Sequence, residues 1–142
     1  MKYVTGVITA ALALLVVAGA AAQKPSILSG IFTEEQARRG RATYQKNCAV
    51  CHGGNLISRD NDASTLSGPE FELNWHGKTV GQRFEQIRES MPLSAPGSLG
   101  DQDYLDILAY VFQYNGYPAG QQELKPDLEL LKQIVIEPAP KK

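Results

Sequence analysis

The stretch Cys48-Ala49-Val50-Cys51-His52 settles more about this chain than any other. Its two cysteines are the whole supply, and they stand three positions apart. A structural disulfide normally closes a longer loop, because much of its stabilisation comes from restricting the unfolded chain. The pair therefore reads as chemistry rather than as a staple. A redox dithiol usually opens a helix that follows a strand, where the helix dipole lowers a thiol pKa. Here a helix leads in instead. Thr33-Glu34-Glu35-Gln36 reads as a capping box, with the Thr33 hydroxyl taking the Gln36 amide proton and the Gln36 side chain reaching back. That start predicts a helix over residues 34–50 that delivers the cysteines at its C-terminal end.

Zinc is the sharper rival, since His52 and His76 are the only histidines and would complete a Cys2His2 set. Adjacent Cys51 and His52 would strain to reach one tetrahedral ion together. The pattern C-x-x-C-H is the signature of c-type haem attachment. Two thiols on one helical turn can add to the two vinyl groups on one porphyrin edge. The next residue then lies over the ring, where its imidazole can bind iron from one face. The expectation is one covalent haem c held by Cys48, Cys51 and His52. A sixth ligand has to come from the opposite face, and the candidates are Met91 and His76. Met91 is the only methionine besides Met1 and begins a Met-Pro turn in a proline-rich loop. It is the expected ligand, with His76 the alternative. His76 otherwise reads as a surface or propionate-side group on a polar loop.

Working outward, residues 52–78 keep no helical period and are broken by Gly53-Gly54, Asn55, Asp60-Asn61-Asp62 and Gly68-Pro69. An irregular segment of that length in a small domain needs something to order it, and a haem would do so. Thr79-Val80-Gly81-Gln82 is a second capping box. Val80, Phe84 and Ile87 follow it at helical spacing, and Met91 before Pro92 ends the helix near Ser90. Asp101 and Asp103 suit the first turn of a third helix, and Asn115-Gly116 stops it. Tyr104, Leu105, Leu108, Val111 and Phe112 form its apolar stripe. The tail offers a short helix at residues 127–132 and then Ile134-Val135-Ile136.

The first residues read as an export signal: Lys2, an apolar run over 4–17, and Ala18-Gly19-Ala20-Ala21-Ala22 for cleavage. An uncleaved anchor of roughly minimal span is the alternative, and membrane association is expected only in that case. Either way the domain is expected outside the cytoplasm, in a bacterial periplasm. The expected division is a signal peptide over 1–22, an extended lead-in over 23–32, a haem domain over 33–117 and a C-terminal extension over 118–142. Apolar residues make up 43% of the 142-residue chain and charged residues 20%, so an ordinary globular fold is expected. A formal charge of −1, with 14 basic and 15 acidic residues, excludes the basic excess of a nucleic-acid binder.

These features together resemble the class I c-type cytochrome family. In that family a Gly-x-x-x-aromatic pair leads into C-x-x-C-H, and Gly40 and Tyr44 are similar to it. The family's last helix crosses the first through an aliphatic–x–x–aromatic set, matched by Ile107 and Tyr110. The resemblance implies that Pro69 offers its carbonyl to the proximal imidazole, a bond that fixes the ring. It implies also that Trp75 sits at the haem edge as a propionate donor. A closer resemblance runs through Leu66-Ser67-Gly68-Pro69, Trp75-His76-Gly77-Lys78-Thr79-Val80, Met91-Pro92 and Asn115-Gly116-Tyr117-Pro118-Ala119-Gly120. That run is similar to the cytochrome modules that accompany, or are fused to, pyrroloquinoline-quinone (quinoprotein) dehydrogenases.

The fold expected is all-α, three main helices and long loops wrapped around one covalent haem. With His52 and Met91 both on iron no position is open to oxygen or peroxide, and a His/Met pair raises the potential. That describes an electron carrier rather than an enzyme. The resemblance implies a periplasmic quinoprotein dehydrogenase as donor and a respiratory component as acceptor. The alternatives are a general respiratory carrier serving a terminal oxidase, and a haem peroxidase or sensor with a labile distal ligand. Arg38, Arg39 and Arg41 cluster on the first helix and read as a solvated face.

Overall fold

Thr33 starts the first helix as its sequence requires: the hydroxyl accepts from the Gln36 amide at 3.0 Å. In the computed structural model, which describes residues 25–59 and 62–140, helix α1 runs Glu34–Asn47. A short α2 (Ala49–His52) follows, then α3 (Gly68–Trp75), α4 (Val80–Ser90), α5 (Asp101–Tyr114) and a single turn, α6 (Leu128–Leu131). No strand is present among the described residues, only an isolated antiparallel bridge between Thr79 and Val135. The fold is all-α, as expected. The expected signal over 1–22 lies outside the described residues, and no helix among those described is long and apolar enough to cross a membrane.

Two expectations change in detail. The helix expected over 34–50 breaks at Cys48, whose φ of −122° leaves the helical range, and resumes as α2. The expected irregular stretch over 52–78 contains α3. Pro69 sits in the first turn of α3, where its fixed φ and missing N–H cost nothing. Gly-Pro reads as a break along the sequence, yet here it starts a helix.

The long helices α1 and α5 form the main crossing. A Cβ on Gly40 would lie 1.7 Å from the Asp106 carbonyl oxygen, so only a glycine lets the backbones meet this closely. The Tyr44 and Tyr110 rings pack at 5.3 Å beside this contact, and Ile107 is buried with them. Both pairs named by the family resemblance thus meet at one crossing.

The two capping boxes diverge. At α4 both halves form: Thr79 accepts from the Gln82 amide at 3.1 Å, and Gln82 accepts from the Thr79 amide at 2.8 Å. At α1 the Gln36 side chain turns inward instead. It donates to Asp106 and to the Leu124 carbonyl at 3.0 Å each, and accepts from the Leu124 amide at 2.8 Å. Arg39, itself partly exposed, completes this clasp, bonding Asp106 at 2.9 Å and Glu123 at 2.9 Å. The Glu123 hydrogen bond, then the Asp106 one, raises the guanidinium's pKa further, and Arg39 holds the Glu123 carboxyl below its usual range. Arg39 is therefore more than part of a solvated face: while partly exposed, it ties α1 to α5 and to the tail.

The core also runs on past Tyr117. Gly120 donates to the Phe32 carbonyl at 2.6 Å, Val80 to Ile134 at 2.9 Å, and Ile136 to Lys78 at 2.8 Å. Leu124, Leu131, Ile134 and Ile136 are buried in the same core as Ile27 and Phe32. Lead-in and tail are packed into the helical body rather than appended to it.

Candidate haem site

The loop after α1 is fixed by short-range bonds. The Cys48 amide donates to the Tyr44 carbonyl at 2.8 Å, and the His52 amide donates to Cys48 at 2.9 Å. Gly53, at φ +78°, turns the chain directly after the histidine. A Cβ there would meet the Ile57 carbonyl oxygen at 2.0 Å. The buried Tyr44 hydroxyl donates to the Gly53 carbonyl at 2.8 Å and locks the turn against α1. Cys48 is partly buried and Cys51 exposed. Burial, with the neighbouring Cys51 thiol second, pushes the Cys48 pKa up to about 11. A reactive dithiol needs the opposite shift, so this environment disfavours the redox-dithiol reading.

The His52 Nδ1 lies 2.7 Å from the Ser64 carbonyl oxygen. A carbonyl only accepts, so Nδ1 is the donor in this bond, which leaves Nε2 as the ring nitrogen available to a metal. A metal-binding imidazole makes a second bond of this kind. The resemblance assigned it to Pro69. The structure gives it to Ser64, because Pro69 is taken up in the exposed first turn of α3 and lies off the cavity wall.

His52 lines a cavity of about 760 Å³, within the range of small-molecule and cofactor sites. Cys48 and Cys51 lie on the same wall, and Met91 and Leu99 are contributed by the loop after α4. Ile107, Leu108 and Val111 of α5 form an apolar floor. Met91 caps α4: its amide donates to the Ile87 carbonyl at 2.9 Å, and its carbonyl accepts from the Tyr104 hydroxyl at 2.7 Å. His76 is elsewhere. Its Nε2 is 3.3 Å from the Tyr117 hydroxyl and its ring stands edge-on to Phe71, off the cavity wall. Among the described residues no three side chains of the Cys, His, Asp or Glu type gather as a metal cluster. Trp75 does reach the cavity, 6% exposed and stacked on Phe71 at 4.9 Å.

The site also contains residues that the sequence did not single out for it. Ser64 acts only through its backbone, which no residue pattern signals. By spacing Tyr104 belongs to an apolar stripe, although a tyrosine's hydroxyl needs a partner when buried. Arg83 lines the cavity with its guanidinium carbon 5.0 Å from the Trp75 ring centroid.

A helical body that carries C-x-x-C-H on one wall of such a cavity is a cytochrome c domain. Residues 35–111 match the family described as cytochrome c oxidase, cbb3-type, subunit III, and the chain belongs to it. Thiosulfate dehydrogenase of Stutzerimonas stutzeri (strain A1501) is 32% identical over 80 residues, a match covering 51% of this chain and 25% of that protein. The sulfane dehydrogenase SoxCD from Paracoccus pantotrophus contains a chain similar in structure, with a TM-score of 0.51 and 25% identity. That likeness covers 79% of this chain and 55% of the SoxCD chain. This chain thus spans only part of the proteins it resembles. The family implies haem c and electron transfer.

The donor set fits that group. An imidazole whose Nε2 is left free, two thiols and a thioether residue lining one cavity are what iron and a porphyrin edge require.

Proposed function

We propose that this chain is an exported, single-haem c-type cytochrome that carries electrons away from a periplasmic dehydrogenase. Cys48 and Cys51 would hold the porphyrin edge, and His52 and Met91 would supply the iron ligands. Bound there, the iron would take up and release one electron. The observation that carries the reading is the His52–Ser64 bond in a cavity that Cys48 and Cys51 also line, since it leaves Nε2 as the nitrogen available to a metal. Ser64 orients the ring, the floor of α5 excludes water, and Tyr104 holds the backbone that presents Met91. Exposed Val50 and Leu93, 90% and 79% accessible, stand on the cavity's rim and suit a small, transient, apolar docking contact.

The donor follows from resemblance. The pattern over residues 66–120 supports a quinoprotein dehydrogenase. A second reading, a dehydrogenase that oxidises sulfur compounds, is favoured by the two relatives, both of which are named as sulfur-compound dehydrogenases. A pyridine haemochrome assay should give one haem per chain that survives denaturation. Mixing the oxidised protein with each class of reduced dehydrogenase from its own organism should give fast haem reduction with shallow salt dependence for one of them. Slow reduction by both, with fast reduction by a quinol-oxidising complex, would make it a general respiratory carrier.

A further inference from the structure

Arg83 is the one lysine or arginine among the described residues that line the haem cavity. Its Nε is buried and is the one buried side-chain nitrogen or oxygen, among those described, without a hydrogen-bond partner. The rest of the guanidinium is fixed: one terminal nitrogen donates to the Gln86 side chain and the other to the Asn74 carbonyl. The group lies over the Trp75 ring, which holds it flat by cation–π attraction. A buried, unpaired donor on a cation costs free energy unless an anion meets it. Burial also lowers the Arg83 pKa, the sign expected of a cation without its counter-charge.

The other arginine of α4 differs. Arg88 pairs with Asp101 at 3.7 Å, lies over Phe84, and is off the cavity wall. From α6, Lys132 is engaged with Glu85 at 3.4 Å.

Resting on the haem reading above, we infer that Arg83 is the anion anchor of the cavity, its Nε–H donating to a carboxylate of the bound haem. Trp75, expected in that role, instead serves as the platform that positions Arg83. An Nε–H and a terminal N–H on one guanidinium edge make a fork suited to a carboxylate. A cation so placed opposes the extra positive charge of ferric iron, so it raises the potential. It also keeps the carboxylate ionised across the working pH range.

The test is a redox titration of the holoprotein from pH 5 to 9, for wild type, Arg83→Lys and Arg83→Leu. Wild type should be flat over this range. Arg83→Leu should favour the ferric form by about tenfold, about 59 mV for one electron. Its carboxylate, no longer paired, should titrate within the window, so that the potential falls as pH rises. The titratable groups that line the cavity with it are Asp62, His52, Cys48, Cys51, Tyr44 and Tyr104. In the holoprotein the three motif residues are engaged by haem, and an Asp62→Asn background removes the remaining carboxylate. Arg83→Lys keeps the charge without the fork and should fall between the two, which preserves the test if the leucine variant loads poorly. In ¹⁵N-labelled wild type the Arg83 Nε–H should exchange slowly. An unchanged, flat potential in Arg83→Leu or a fast-exchanging Nε–H overturns the inference. A wild type without covalent haem overturns the reading beneath it instead.

Discussion

The two walls of the cavity are built by different means. The His52 wall is local: Tyr44, Cys48, His52 and Gly53 bond one another within a few residues, and Ser64 closes the loop. The Met91 wall is assembled from afar. Its backbone is held at one end by Ile87 of α4 and at the other by Tyr104 of α5. A locally bonded wall persists whenever α1 is formed. A wall held between two helices exists only once those helices have docked, so it is the part of the site that opens first. The attachment side should accordingly be rigid and the Met91 side exchangeable.

The sharpest way to break this comparison is to remove one residue from each wall. His52→Ala leaves two thiols and no ligand on the local wall. Covalent haem per chain, read by pyridine haemochrome, should fall by about tenfold or more, because attachment and ligation depend on the same turn. Met91→Ala should do far less to loading. Haem content should remain within about twofold of wild type, while the weak far-red sulfur-to-iron band disappears and imidazole or cyanide binds readily. If His76→Ala removed that band instead, the opposing ligand would be misassigned. If Met91→Ala lost haem as completely as His52→Ala, the two walls would be equivalent and the contrast would fail.

The same division governs what could be read in the sequence. The caps of α4 and the end of α5 at Asn115-Gly116 are local signals, and each appears where its residues imply. Gly40 was marked by resemblance, and its reason became visible only with the Asp106 backbone against it. Gln36 shows the limit. Its local chemistry favoured closing a capping box, but Asp106 and Leu124, brought in by folding, offer a buried amide three bonds instead of one. Arg39 likewise looks solvated in a basic run, until Glu123 and Asp106 arrive from the tail and α5. The Ser64 carbonyl has no side-chain signature at all, so the histidine's partner could not be chosen over Pro69 by pattern. Loop carbonyls and long-range ion pairs depend on where the chain returns, which periodicity does not encode.

Tyr104→Phe probes the Met91 wall most finely, and its effect should be the smallest. The ring is buried and stays in place, so packing is conserved and only the hydroxyl is lost. That hydroxyl donates to the Met91 carbonyl at 2.7 Å, which also lies 3.4 Å from the Gly97 amide. Removing one partly buried hydrogen bond costs about 1 kcal/mol. If the bond exists only while Met91 faces the cavity, the whole loss falls on the Met91-bound state. Exogenous imidazole would then compete about fivefold better, with the far-red band retained in its absence. The matching change on the other wall, Tyr44→Phe, removes the bond to Gly53 and should lower stability by a similar amount. It should leave imidazole affinity where it was. Equal shifts in imidazole affinity for the two variants would mean that the walls are coupled as one unit. A shift confined to Tyr104→Phe would place the exchangeable side of the site where α4 and α5 meet.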